Sequence, residues 1–307
     1  MGEGTVSVHT MPVEHRSAWF GRDLIDDPSW LVHLSEQDLA EVAVAVHQVR
    51  ARGLVLGEVG RSNFPLPTLA AKLAKWLEEI RAGRGFVLVR GLNITDYTDE
   101  EVGLIFWAIG SHLGIPVTQN PRGDLLGHVY DHGRRYGDID VRGYETNAHL
   151  PFHTDSCDVV GLLCLRRAKR GGLSSIVSAI TLHNEILRQH PEYLPPLYRG
   201  FYYIKRETAL TDDPVTAHRL PVFGAKDGYI SARLVRNQIN AACVKKENRS
   251  NHCNRRRWIS STAWPTTPIF TSTWICNLET CSSVTTTRSS IRGLPSRTGR
   301  SRNGGAI

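Results

Sequence analysis

LPFHTDSCDVVGLLCLRRAKRGG, residues 150–172, carries more chemistry than any other stretch of this chain. It sets His153 and Asp155 two positions apart, follows them with the apolar run VVGLLCL, and closes on Gly171 and Gly172. In an extended chain, residues i and i+2 project from the same face. The spacing therefore predicts that His153 and Asp155 converge on one side of a strand, with Thr154 turned away. An imidazole and a carboxylate held together supply two members of the 2-His-1-carboxylate set that binds non-haem Fe(II) and leaves positions open for oxygen chemistry. A bare His-x-Asp pair is also what a surface histidine beside a turn-forming aspartate looks like, so its surroundings decide its meaning.

Those surroundings are regular. Ser35 opens SEQDLAEVAVAVHQVRA, where Leu39, Val42, Val46 and Val49 share one helical face behind an N-cap. Leu69, Leu73, Trp76, Leu77 and Ile80 repeat the pattern in PTLAAKLAKWLEEIRAG, and Val102, Ile105, Phe106 and Ile109 mark a third helix. GFVLVRGL, residues 85–92, reads as a buried strand bracketed by glycine, and VVGLLCLR and SSIVSA as further strands. TLHNEILRQHPEYL predicts a short helix with His183 on its surface. GFYYIKR and LPVFGAKDGYISA suggest strands with a hairpin at Lys226-Asp227-Gly228, and RLVRNQINAA a helix start. This is an α+β pattern without the strand–helix alternation of a doubly wound sheet.

The composition divides at Ala242. Residues 243–307 hold 11 Lys+Arg against 2 Asp+Glu, a net +9, whereas the preceding 242 residues hold 26 against 28, a net −2. All of the chain's +7 thus comes from a Ser/Thr-rich tail without helical or strand periodicity. A nucleic-acid role would rest on that tail alone, since the front part is close to neutral, and we weigh it low. No apolar run approaches the roughly 20 residues that span a bilayer, and the N-terminus has no basic segment leading into an apolar one. Six irregularly spaced cysteines read as reduced thiols of a cytoplasmic protein. Oligomeric state is not legible.

The run from FHTD through the apolar strand to GGLS (171–174), with IGSHLGIPVTQNPRGDLLGHVYD and RGYETNAHL before it, resembles the TauD/TfdA (taurine catabolism dioxygenase-type) family of Fe(II)- and 2-oxoglutarate-dependent oxygenases. The resemblance covers roughly residues 85–242. It implies a double-stranded β-helix, the clavaminate synthase-like jelly roll, with flanking helices. It implies Fe(II) as cofactor, 2-oxoglutarate and O2 as co-substrates, and oxidation of a small molecule with release of succinate. By position, His153 and Asp155 resemble the iron ligands, and Ser174 the hydroxyl that hydrogen-bonds a 2-oxoglutarate carboxylate. Other candidates weigh less. His149 is separated from His153 by Pro151, which argues against a shared helix. Asp158 reads as a supporting acid, and Cys157 adjoins the dyad too closely in sequence to form a nucleophilic pair. Gln119 and Asn147 are candidate substrate contacts.

The family's distal His, its PGD turn and its co-substrate Arg are not found. His218 follows Asp155 too closely, and His252 lies in the tail. The tail itself suggests why. Read one base earlier, the nucleotides encoding TWICNLETC (273–281) permit MDLQPGDM, and the Trp274–Ile275 junction must then give aspartate. In the same frame RSSIRGLPS (288–296) permits ILHSRTAF, and RRRWISSTAWPTTP permits an amphipathic helix. We therefore expect a dioxygenase domain over 1–242, a frame change between about Ala241 and Arg257, and a poorly ordered, out-of-frame tail over 243–307. The last core strands would be missing or non-native, with weak iron binding and impaired turnover. A catalytically dead remnant, or a small-molecule-binding jelly roll, is the alternative; a disordered basic tail also fits the composition.

Overall fold

The computed structural model describes residues 7–120, 122–135, 141, 143–205, 214–226, 228–247, 284–287 and 290–293. In chain order the elements are α1 (Gly21–Asp26), β1 (Leu31–His33), α2 (Glu36–Ala51), α3 (Leu69–Ala82), β2 (Phe86–Arg90) and α4 (Asp99–Leu113). Then come β3 (Leu150–His153), β4 (Val160–Leu163), β5 (Ser174–Val177), α5 (Ala179–Gln189) and α6 (Leu194–Arg199). The described elements end with β6 (Phe223–Lys226), β7 (Tyr229–Ala232), α7 (Arg236–Glu247), β8 (Val284–Thr287) and β9 (Ser290–Gly293).

Helices α2, α3 and α4 begin and pack as their patterns predict. Ser35 caps α2: its Oγ accepts from Asp38 N–H at 3.3 Å while the Asp38 carboxylate accepts from Ser35 N–H at 2.8 Å. Thr98 and Glu101 repeat the reciprocal arrangement at α4. Val42, Val46 and Val49 of α2, Leu69 and Leu73 of α3, and Leu104, Ile105 and Ile109 of α4 meet in one buried cluster. Each such side chain contributes roughly 1.5–3 kcal/mol by leaving water.

The strand β2 shows how the helical layer meets the sheet. Val87 and Val89 pack on Ile80 of α3, while Phe86 and Leu88 face Trp19 and Trp30. With both faces covered, the strand reads as a continuous apolar run rather than an alternating one. One sheet has the order β1-β2-β8-β4, with β1 parallel to β2 and the other pairs antiparallel; a second has the order β3-β9-β5. Gly171 and Gly172, at φ of 75° and 72°, turn the chain between β4 and β5 in a conformation that favours glycine.

Several expectations change. Two short segments of the tail, whose sequence reads as without helical or strand periodicity, form β8 between β2 and β4 and β9 between β3 and β5. Its Thr and Val content suits strands even though it lacks alternation. Helix α7 runs to Glu247, past the compositional break. GFYYIKR forms isolated bridges at Phe201 and Ile204 rather than a strand. His183, expected on the surface, is fully buried and ringed by Tyr198 and Phe223, which arrive from later in the chain. The hairpin of β6 and β7 forms at the expected position.

Candidate active site

His153 is the last residue of β3, and Asp155 lies just beyond it in irregular chain. The two do not ride on one strand, as the spacing suggested. Both nevertheless line one large open cleft of about 2040 Å³. Thr154, between them, is buried and fixed from both sides: its N–H donates to the Leu234 carbonyl at 2.9 Å, and its Oγ1 accepts from the Leu234 N–H at 2.8 Å. This clamp ties the dyad to the β7–α7 junction, 80 residues away. It ends the strand and sets where the flanking side chains emerge.

The His153 ring is oriented locally. Its Nδ1 lies 2.9 Å from the Pro151 carbonyl. A carbonyl oxygen only accepts, so Nδ1 donates to it, and Nε2 is the nitrogen free to bind a metal. Metal-binding histidines are oriented this way, with the second nitrogen donating to a carbonyl or carboxylate. Asp155 is exposed at the cleft wall and accepts from no described donor. The donor set, one imidazole nitrogen and one carboxylate, suits Fe(II) as far as it goes. Among the described residues no three His, Cys, Asp or Glu side chains gather as a metal-ligand set.

The remaining candidates separate. Asp158, Cys157 and Gln119 line the same cleft; Ser174, Asn147, His149 and His218 do not. Partial desolvation, then the charges of Asp155 and Asp158, push the Cys157 thiol up, against a role as nucleophile. Ser174 opens β5, two residues before Ile176, which shares the register partner Ile291 with His153 across β9. His252 lies outside the described residues, as does the TWICNLETC segment. Sequence reading missed Arg233, Tyr203 and Arg236, all of which line the cleft beside the clamp. The cue was present in ARLVR, which sets two arginines three apart where the hairpin passes into a helix.

Helices packed on these sheets, with His153 and Asp155 on one cleft wall, fit the class of non-haem iron oxygenases. The chain matches the taurine catabolism dioxygenase TauD, TfdA family over residues 50–268 and belongs to it. It is 32% identical over 242 residues to FR-33289 synthase of Streptomyces rubellomurinus, covering 78% of this chain and 71% of that protein. It is 30% identical over 187 residues to the taurine hydroxylase-like protein SAT17 of Stachybotrys chartarum, covering 59% of this chain and 49%, about half, of that relative's length. Among solved structures, an asparagine oxygenase in complex with Fe(II), 2S,3S-3-hydroxyasparagine and succinate has a TM-score of 0.59 at 15% identity, covering 88% of this chain and 89% of that one. The non-haem iron oxygenase OrfP, in complex with Fe, succinate and (3S)-hydroxy-L-Arg, also gives 0.59, at 13% identity, over 88% and 90% of the two chains. These similarities show the jelly-roll fold. No described helix is long and apolar enough to cross a membrane.

Proposed function

We propose that the protein is built as an Fe(II)- and 2-oxoglutarate-dependent hydroxylase of a small molecule, with O2 as co-substrate, and that its metal site is incomplete as encoded. The observation that carries the first half is the meeting of His153, its Nε2 left open, with Asp155 on one cleft wall. His153 Nε2 and the Asp155 carboxylate would hold the metal, and Ser174 would offer its hydroxyl to a 2-oxoglutarate carboxylate. When bound, Fe(II) would let O2 act as the oxidant, with 2-oxoglutarate supplying two electrons as it is converted to succinate and CO2 and the substrate supplying the other two as it is hydroxylated. The relatives' hydroxylated ligands support hydroxylation as the reaction type. Thiol cysteines suit a reducing compartment such as the cytoplasm.

The second half rests on register. In the β3–β9 pair, His153 stands opposite Ile291. The neighbouring reading frame permits histidine at the codon spanning Ser290 and Ile291. A strand position beside the dyad is where a third ligand would complete the set, and isoleucine offers no donor atom. This supports a dioxygenase domain over residues 1–242 whose continuation is encoded out of frame in 243–307, with two of three protein ligands left and turnover impaired. A remnant that binds small molecules without turnover is the competing outcome.

The test compares the chain as encoded with a frame-restored version, each supplied with Fe(II), 2-oxoglutarate and a panel of small molecules. Succinate formation by the restored chain, abolished by H153A, is expected. A restored chain no more active than its H153A variant would sink the oxygenase reading.

A further inference from the structure

Beside the cleft the packing of α3, α4 and β2 leaves a second, much smaller space. It offers about 20 Å³ to the centre of a water-sized sphere, above the roughly 10–15 Å³ at which a cavity can hold one small molecule. Trp76 and Ile80 of α3, Val87 and Val89 of β2, and Ile109 and Leu113 of α4 border it. The origin lies in the sequence of β2. Val87 and Val89 are the short, branched residues that a strand favours, and they stop short of filling the gap between the longer side chains of the two helices.

The lining suits a gas better than water. Every described residue around the space is apolar, and of their side chains only Trp76 carries a polar atom, its indole N–H. A buried water needs about two to four polar partners, and apolar cavities stay dry and take up molecules such as xenon. A guest there gains dispersion contact with walls that otherwise face a void. The space also adjoins the cleft, since Ile80, Ile109 and Leu113 line both. Strand β4 makes the same link along the chain. Its first three residues, Val160, Gly161 and Leu162, line the cleft that holds His153 and Asp155, and the next, Leu163, lines the small space.

We infer that this space between α3, α4 and β2 is a binding site for molecular oxygen, held next to the cleft by its apolar lining. O2 is diatomic and apolar and asks for no hydrogen bond, whereas 2-oxoglutarate or an organic substrate is too large and too polar to enter. Occupancy rests on packing alone and does not depend on iron. That the held O2 serves an oxidation in the cleft rests on the proposed oxygenase reading. Isoleucine at position 87 or 89 would extend the lining into the gap without adding a polar atom, so the site can be filled without changing its chemistry.

The test is NMR of the full, iron-free chain, labelled at its Ile, Leu and Val methyls, under elevated pressure of O2 and, as the diamagnetic reference, of N2. O2 is paramagnetic and speeds the relaxation of the nuclei it sits beside. Val87, Val89 and Leu92 line the small space and not the cleft, so they report on it alone. Their enhancement is expected to exceed that of Ile186, fully buried in a separate cluster, by more than about threefold. V89I, read at Val87 and Leu92, should cut the excess by more than about half, and V87I covers the case in which V89I does not fold. No excess over Ile186, or an excess that neither filling variant reduces, overturns the site. In the frame-restored chain V89I should also raise the KM for O2 more than about twofold with kcat unchanged. An unchanged KM overturns the role in oxidation and leaves the occupancy standing. Absence of succinate from the restored chain takes the role down with the oxygenase reading, while the relaxation measurement still decides whether O2 binds.

Discussion

Ile291 is the register partner of His153 across the antiparallel pair of β3 and β9. The same residue pairs with Ile176 of β5, so β9 lies between the strand that ends at the dyad and the strand that follows the glycine turn. The codon that spans Ser290 and Ile291 permits histidine in the neighbouring frame, and the segment 273–281 permits a Pro-Gly-Asp turn in that frame. Sequencing the coding DNA across codons 236–307 in independent isolates is expected to reveal a single-base insertion or deletion between about codons 241 and 257. An intact frame in every isolate would overturn the proposed frame change.

The Thr154–Leu234 clamp predicts a positioning role for a residue that touches neither metal nor substrate. T154V keeps the shape but leaves the Leu234 N–H without its acceptor, a loss of about 1–3 kcal/mol in urea unfolding. T154S retains the hydroxyl and should recover most of it. Metal affinity should follow the same order, because His153 and Asp155 flank the clamp. Equal stability of T154V and T154S would show that the clamp holds nothing.

Acid should act first through His183. Burial drops its pKa from 6.5 to about 4, so the unfolded chain binds the proton more readily than the folded one between those values. The stabilisation is full above pH 6.5 and is lost as pH falls toward 4, amounting to about 3 kcal/mol at 1.36 kcal/mol per pKa unit. H183Q should flatten that limb of the stability-against-pH curve. A limb of unchanged slope in H183Q would assign it to other groups.

Asp38 governs a separate and more acidic window. Burial raises its pKa, but hydrogen bonds from Lys72 and Ser35 outweigh it and hold the carboxyl below its usual 3.8. Lys72 Nζ approaches the carboxylate at 2.7 Å. This contribution is present above the unfolded value and lost as pH falls through the folded one. D38N also strips the α2 cap of its charge, and should cost about 1.5–3 kcal/mol at pH 7 by weakening the charge-assisted hydrogen bonds that Ser35 and the half-exposed Lys72 make to this buried carboxylate. A cost below about 1 kcal/mol, typical of a surface pair, would contradict the buried role.

Much of the fold was legible because its signals are local. The apolar faces of α2, α3 and α4 and their Ser35 and Thr98 caps are written within one or two turns. The glycine bracket around β2 and the turn at Gly171-Gly172 are equally short-range. What stayed hidden depends on distant partners. Nothing near His183 announces that Tyr198 and Phe223 will enclose it, and nothing near Thr154 announces Leu234. Asp155 left the strand because that clamp ends it. The strands of the tail escaped because threonine-rich segments without alternation are also what irregular chain looks like. The dyad was visible in FHTD, whereas the arginines beside it needed the hairpin to fold back before their position had meaning.

The proposed iron site has His153 and Asp155 as its two remaining protein ligands and position 291 as the place of the third. Anaerobic Fe(II) titration in the presence of 2-oxoglutarate, followed by charge-transfer absorption, tests it directly on the full chain and on I291H. Weak binding by the chain as encoded is expected, with I291H tighter by more than about tenfold, the smallest effect expected of a ligand when outer partners alone change metal affinity by 10–100-fold. Tight, stoichiometric Fe(II) binding by the encoded chain, unchanged in I291H, would contradict it.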